Sequence, residues 1–375
     1  MMRGTVSVPE EAAGAALQKE KHFDRIVHLD AGRKYFSPAE IRKLIACMAK
    51  YHLNQLQLYL LDNQGFRFAL DDMEVRTKSG KIYDLTPALG DGYSMGENFV
   101  PAPGPNGEQY LTQSEMTDLI GYAADRGIEI VPCINAPGHM GALLNPTITD
   151  GAQQEEHGFA RFQVSTSKTS IDLQNPEAVD FTLSVLEKYT AYFAAQGCKH
   201  YNIGADEYAY NGTGAGAGSA GDADAEAFVR FLNEAAARIK GYGMTPRAFN
   251  DAFGYSTAAH PIDRDFEVCF WQGSEALFNS LKEEGRRLLN TSSTIYWSVG
   301  SSYFTPEKAV ANLPKFDPRV FHVNETGPVA GTTERPAGAM FCIWADRGTA
   351  MTGSEVIERA EPMLRAYADQ LADWM

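Results

Sequence analysis

Cysteine is scarce in this chain: five occur in 375 residues. Cys47, Cys133, Cys198, Cys269 and Cys342 form an odd, widely spaced set without a C-x-x-C pair. That excludes a disulfide framework and reads as reduced, buried thiols. Histidine is also sparse, with eight residues. His28-x-Asp30 is not the paired-histidine signature of a hydrolytic zinc barrel, so neither metal nor cofactor is expected. No G-x-x-x-x-G-K-[ST] or G-x-G-x-x-G stands at a strand–helix turn, which excludes the common phosphate cradles. No apolar run approaches the roughly 20 residues that cross a bilayer. Met1 to Glu20 lacks the basic-then-apolar layout of a signal peptide. The expected location is cytoplasmic, or secreted or surface-bound with a leader and other domains outside this sequence. Basic residues are in deficit, 33 against 48 acidic, for a net charge of −15. That argues against nucleic acid and anionic membrane as partners, since both demand basic patches; the oligomeric state is left open.

What is present is ample core material, 44% hydrophobic residues with 22% charged. Residues 1–21, rich in Ala, Glu and Gly, are expected to be a poorly ordered lead-in or short helix. From residue 22 to 375 short apolar strands alternate with amphipathic helices. The expected strands are Arg25–Leu29, Asn54–Leu60, Ile128–Ile134, His200–Ile203, Thr245–Phe249, Phe266–Trp271, Thr294–Ser298 and Ala339–Ile343. Helix starts are marked explicitly. Ser37-Pro38-Ala39-Glu40 and Thr112-Gln113-Ser114-Glu115 are capping boxes, and Asn175-Pro176 opens a third helix. Eight strand–helix units imply a parallel sheet, and their unbroken composition favours an α/β fold closed into a single (β/α)8 TIM barrel. Long connections at 67–110, 145–169 and 211–221 leave C-terminal strand ends, where barrel enzymes carry their active-site loops.

The residues just past each strand carry the chemistry. The first strand delivers Asp30 and Arg33, the second Asp62-Asn63-Gln64-Gly65, the third Asn135 and Pro137-Gly138-His139, and the fourth Asp206-Glu207. The fifth gives Asn250-Asp251, the sixth Trp271, the seventh Tyr296-Trp297 and the eighth Trp344 with Asp346. Carboxylates, an arginine, a histidine and aromatics thus converge on one mouth. Three of the four tryptophans stand there. Indole faces stack on the CH faces of sugars, while Arg and carboxylates pair with hydroxyls, so the expected ligand is a carbohydrate.

Tyr201-Asn202-Ile203-Gly204-Ala205-Asp206-Glu207 resembles the fourth-strand H-x-G-G-D-E signature of family-20 glycoside hydrolases, the β-N-acetylhexosaminidases. Asp30-x-x-Arg33-x-Tyr35-Phe36, Asp62-Asn63-Gln64-Gly65-Phe66-Arg67 and Pro137-Gly138-His139 are similar to three further motifs of that family, in the same order. Phe249-Asn250-Asp251 and Trp344-Ala345-Asp346 resemble a bacterial branch. The likeness runs from about Arg25 to Trp374. The departures are Ala205 for the second glycine, Tyr59 for a histidine, Phe66 for a tryptophan, and Cys133 and Asn135 where an acidic residue is common. The α/β domain that often precedes the barrel is absent from this sequence.

The resemblance implies a retaining exo-β-N-acetylhexosaminidase acting on oligosaccharides or glycoconjugates that end in GlcNAc or GalNAc. Family-20 enzymes are among the substrate-assisted exceptions to the two-carboxylate scheme. Glu207 would be the general acid and then the base, kept protonated by its anionic neighbour and a dry pocket. Asp206 would orient the acetamido group, and Tyr296, or Trp297 if the register slips by one, would donate to its oxygen. Arg33 and Asp346 would hold ring hydroxyls, Trp271, Trp297 and Trp344 with Asn250 and Asp251 would complete the sugar site, and Asp62 and His139 would orient the carboxylates. Three alternatives remain: release of a disaccharide, as by a lacto-N-biosidase; a conventional retaining glycosidase with Asp251 or Asp346 as nucleophile; and a non-catalytic carbohydrate-binding barrel.

Overall fold

The computed structural model describes residues 23–92, 100–144, 159–165, 167–208, 222–323, 330–333 and 336–374. The lead-in 1–21 and the connection 211–221 lie outside the described residues, as does most of 145–169. The barrel strands are β1 (Asp24–Asp30), β2 (Gln55–Leu61), β3 (Glu129–Ile134), β4 (His200–Asn202), β5 (Thr245–Phe249), β6 (Glu267–Phe270), β7 (Leu288–Asn290) and β8 (Gly338–Trp344). Each pairs in parallel with its sequence neighbour, and β1 also pairs with β8, closing the cylinder. This is a (β/α)8 TIM barrel.

Its longer described helices are α1 (Pro38–Lys50), α2 (Gln113–Ala124), α3 (Pro176–Ala195), α4 (Asp222–Gly241), α5 (Glu275–Glu283), α6 (Pro306–Asn312) and α7 (Gly353–Gln370). The β5–β6 crossing is made by a 3-10 helix, Asn250–Tyr255, which brings Asn250 and Asp251 to the rim. Local sequence explains where helices begin. In α1 the Ser37 hydroxyl accepts from the Glu40 N–H while the Glu40 carboxylate accepts from the Ser37 N–H, and Ile41, Leu44, Ile45 and Met48 form the buried stripe. Thr112 with Glu115 and Thr352 with Glu355 repeat the device for α2 and α7. Such caps contribute about 1 kcal/mol each; the apolar stripes against the barrel do most of the work.

Seven of the expected strands lie within a residue or so of the observed ones; the seventh does not. The barrel uses Leu288–Asn290, which pairs with β6 and β8, in place of Thr294–Ser298. Asn290 is held by its amide, which donates to the carbonyls of Pro318 and Val320. The Ser292 hydroxyl then accepts from Thr294 N–H and starts a 3-10 turn at Ser293–Ile295. Only Trp297–Ser298 pair with the sheet, alongside Ile343–Trp344 at the rim.

The connection 67–110 is more structured than a surface loop, although 93–99 lie outside the described residues. Gly65–Phe66 pairs antiparallel with Gly90–Asp91, and Glu74–Arg76 with Ile82–Asp84. It is fastened to α3 by Tyr83 donating to Glu177 at 2.7 Å and by the Lys188–Asp72 ion pair at 2.8 Å.

The opposite, N-terminal end of the barrel is sealed by charge. Buried Arg247 donates to Glu267 at 2.6 and 3.0 Å and to Gln55 at 3.1 Å, while His200 meets Glu129 at 2.9 Å. Asp24, His200 and Glu267 stand within metal-ligand reach of one another. Arg247 and Arg287 already supply positive charge to Asp24 and Glu267 there, as is required for buried carboxylates.

Candidate active site

At the C-terminal mouth lies a cavity of about 350 Å³. Arg33, His139, Asp206, Glu207, Trp271, Tyr296, Trp344 and Asp346 line it, so eight of the residues singled out from strand ends share one chamber. Asn63, Gln64, Phe249 and Phe304 complete the lining. Trp344 covers the floor: its ring lies 4.3 Å from buried His28, with Tyr59 edge-on at 5.5 Å and Tyr296 at 6.0 Å. Beneath it, Gln57 donates its amide to His28 Nδ1 at 2.9 Å and accepts from Asn202, so the space below is filled by bonded side chains. Burial and the nearby Arg33 push His28 down to about 3, which keeps it neutral.

Two cations organise the carboxylates. The Arg33 guanidinium lies 2.8 Å from Asp30 and 3.1 Å from Asp62, both fully buried, and 3.8 Å from the more exposed Asp346. Burial opposes ionisation of Asp62, but Arg33 and His139 hold its carboxyl below the ordinary range. His139 places Nδ1 3.1 Å from Asp62 and Nε2 3.2 Å from Glu207, with Asp206 at 3.7 Å. Acceptors on both ring nitrogens mean that both carry hydrogen. Burial alone would lower this imidazole, yet the Asp206 and Asp62 carboxylates keep it well above its usual value.

The two adjacent acids are tuned apart. Burial raises the Asp206 carboxyl, although His139 and an amide hydrogen bond from Asn135 oppose the rise. Glu207, whose side chain is 53% exposed, is lowered chiefly by the hydrogen bond from His139. This corrects the expectation that its anionic neighbour and a dry pocket keep it protonated; the positive partner outweighs both.

Backbone conformation sets the directions of these side chains. Gly204 has φ +68, and a Cβ there would sit 2.3 Å from the Asn135 amide. Ala205 (φ +61), Glu207 (φ +46) and His139 (φ +52) occupy the left-handed region without being glycine. Strain of this kind costs on the order of 1–3 kcal/mol per residue and collects at functional sites. Asn135 steadies the turn: its Oδ1 accepts from Ala205 N–H at 3.0 Å, and its amide donates to Asp206 at 2.7 Å and to the Tyr59 hydroxyl at 2.9 Å.

Three expected site residues stand elsewhere. Trp297 is wholly buried in the core, because its strand pairing with Ile343 turns the indole inward, and it does not reach the cavity. Tyr296, one position earlier, faces the chamber. Asn250 and Asp251 stand behind the wall. Asn250 accepts from the Trp271 N–H at 2.8 Å, and Asp251 accepts from the Trp271 indole at 2.6 Å. Asn63, Gln64 and Asn135 were legible as strand-end residues without a role; Phe304 carries no sequence signal, since it arrives from the segment after the rim strand.

A closed parallel barrel with paired acids beside an indole-walled chamber at its C-terminal mouth has the form of a glycoside hydrolase. The comparison with known families agrees: residues 23–357 match the glycosyl hydrolase family 20 catalytic domain. The chain belongs to glycoside hydrolase family 20. It is similar to a solved structure of the pneumococcal virulence factor StrH, with TM-score 0.77 and 30% identity over 95% of this chain and 85% of that one. Dispersin B shares the fold at TM-score 0.69 and 20% identity, over 92% of this chain and 99% of that one. Among curated proteins, the lacto-N-biosidase of Bifidobacterium bifidum is 25% identical over 258 residues, covering 66% of this chain and 22% of that protein. A beta-hexosaminidase of Vibrio vulnificus is 22% identical over 340 residues, covering 79% of this chain and 39% of the relative. The chain thus spans less than half the length of these curated relatives. No described helix is long and apolar enough to cross a membrane.

Proposed function

We propose that this protein is a retaining exo-β-N-acetylhexosaminidase that removes one terminal GlcNAc or GalNAc by substrate-assisted catalysis. The observation that carries the reading is geometric: two consecutive acids, Asp206 and Glu207, line one chamber with Trp271, Tyr296 and Trp344. The acetamido oxygen of the bound sugar attacks the anomeric carbon as the glycosidic C–O bond breaks. Glu207 gives its proton to the departing oxygen. Asp206 accepts the acetamido N–H and balances the positive charge of the oxazolinium ion, and Tyr296 donates to the acetamido oxygen. Water then attacks the same carbon, losing its proton to Glu207 as the ring opens, with net retention.

His139 is raised and Glu207 lowered beside it, so Glu207 has to take up a proton before it can donate one. A sugar seated in the chamber covers the half-exposed carboxyl, and desolvation raises it. The hydrogen-bonded imidazolium 3.2 Å away is the nearest proton source. A volume of about 350 Å³ sits near the lower end of the roughly 300–1,000 Å³ common for small-molecule sites, which favours one ring over a disaccharide. Asp251, behind the wall, is poorly placed as a covalent nucleophile.

The test is a pair of substitutions on two substrates. Glu207→Gln should lose at least about 100-fold on an N-acetylglucosaminide with a poor leaving group, and far less on a 4-nitrophenyl one. Asp206→Asn should impair both. Undiminished hydrolysis of a natural disaccharide by Glu207→Gln, or a first-formed product of inverted anomeric configuration, refutes the proposal.

A further inference from the structure

Asp251 lies just past β5 and takes no part in lining the cavity, yet it touches two groups that matter there. Its Oδ1 accepts from the Trp271 indole N–H at 2.6 Å, and its Oδ2 accepts from the Glu207 main-chain N–H at 3.2 Å. The geometry points to Asp251 as a positioning residue that fastens the main chain of the proton donor to the indole wall of the sugar pocket. The inference rests on the reading of Glu207 as that donor.

Three strands meet at this carboxylate. Glu207 follows β4, Asp251 follows β5 and Trp271 follows β6, so one side chain bridges the ends of its two neighbours in the barrel. Both partners are donors, which only a group with two free acceptor oxygens satisfies. An amide in its place keeps one contact and turns an N–H toward the other donor. The clamp also acts where the chain needs it. Glu207 has φ +46, a conformation an L-residue holds only when its surroundings over-determine it. Asn250 fixes the Trp271 main chain, and Asp251 is left to orient the ring.

Asp206 and Glu207 face Asp251 from the end of β4, Trp271 from the end of β6, and Tyr255 from its own helix. Burial, then the Asp206 charge, push its carboxyl up to about 7. When it takes a proton, the new O–H finds a donor on either side, so one of the two contacts weakens. The link between the acid's main chain and the stacking wall is therefore loosened on acidification.

The experiment uses the full chain with ¹⁵N-labelled tryptophan, the Trp271 indole signal being identified by its loss in Trp271→Phe. In the wild type that signal should lie downfield and titrate near neutrality; in Asp251→Asn it should move upfield and lose the titration. Kinetically, Asp251→Asn should cut kcat/KM on a disaccharide substrate by about tenfold or more and on a 4-nitrophenyl N-acetylglycoside by clearly less, because both use the indole wall but only the first needs an aligned acid. Asp251→Glu, which keeps the charge but shifts the oxygens, serves as the second variant should the amide not fold, and is expected to keep the titration but not the disaccharide rate. An indole signal in Asp251→Asn that stays where the wild type has it, or equal losses on both substrates, overturns the proposal. A wild type inactive on every N-acetylhexosaminide sinks the functional reading instead, and the indole shift still decides the clamp.

Discussion

Nε2 of His139 lies 3.2 Å from the Glu207 carboxylate. The same ring turns Nδ1 toward Asp62 at 3.1 Å, and Asp62 is itself held by Arg33 and the Tyr59 hydroxyl. A positive charge therefore sits against the residue assigned to proton donation, anchored from behind by a buried anion. His139→Gln removes that charge. The Glu207 carboxyl should rise, and if its protonated form is the active one, the basic limb of the kcat/KM profile moves to higher pH. The optimum rate should fall by roughly 10- to 100-fold as the carboxyl loses its fixed partner. A profile recorded on a 4-nitrophenyl N-acetylglycoside checks both.

Asn135 gives a second pH signature. Its amide donates to Asp206 at 2.7 Å. Asn135→Asp substitutes a like charge for a donor, so Asp206, already raised by burial, should rise further. In the proposed mechanism Asp206 acts as an anion, so the acid limb should move up in pH. The lost charge-assisted bond, about 1.5–3 kcal/mol, corresponds to roughly a 10- to 150-fold fall in kcat. An acid limb that stays in place contradicts the role given to Asp206.

Ala205 stands at φ +61, a conformation that costs a non-glycine residue roughly 1–2 kcal/mol. Ala205→Gly should relieve part of this, offset by the greater freedom of glycine in the unfolded chain. The expected outcome is a gain of up to about 1 kcal/mol in urea unfolding without loss of activity. A destabilised variant shows that the Ala205 methyl earns its place by packing.

Linkage at His28 runs the other way from that at His139. His28 is neutral and buried, lowered from 6.5 to about 3. Between these values the unfolded chain binds a proton that the folded chain refuses. Stability from this group is thus complete above 6.5 and is lost as pH falls toward 3, at about 1.4 kcal/mol per unit. His28→Phe should be less stable at neutral pH, having lost the Gln57 bond, but the slope below 6.5 should flatten. Urea midpoints over this range test it.

The barrel was legible because its signals are local: capping boxes before α1 and α2, Asn175-Pro176 before α3, and short apolar runs between them. The seventh strand was not, since Thr294-Ile295-Tyr296-Trp297 carries the stronger β pattern while Leu288–Asn290 is only three residues long. Tertiary pairing with β6 and β8 decided between them. Trp297 was misplaced for the same reason, strand pairing having turned it into the core. Motifs placed Asp206 and Glu207 at the mouth, but a motif carries no field. The downward shift of Glu207 depends on a histidine 68 positions earlier in the chain, and the bond from Asp251 to the Trp271 indole spans two strands.

Among the described residues, the indole of Trp344, resting on His28 and backed by Gln57 and Asn202, closes the floor of the chamber. On the proposed function, a chain enters the chamber tip first, and the sugar cut off has to leave by the mouth before the shortened chain, or the next one, can advance. Turnover is then a matter of traffic at that door. A detached sugar that lingers obstructs its own successor, and end-product inhibition is the expected consequence.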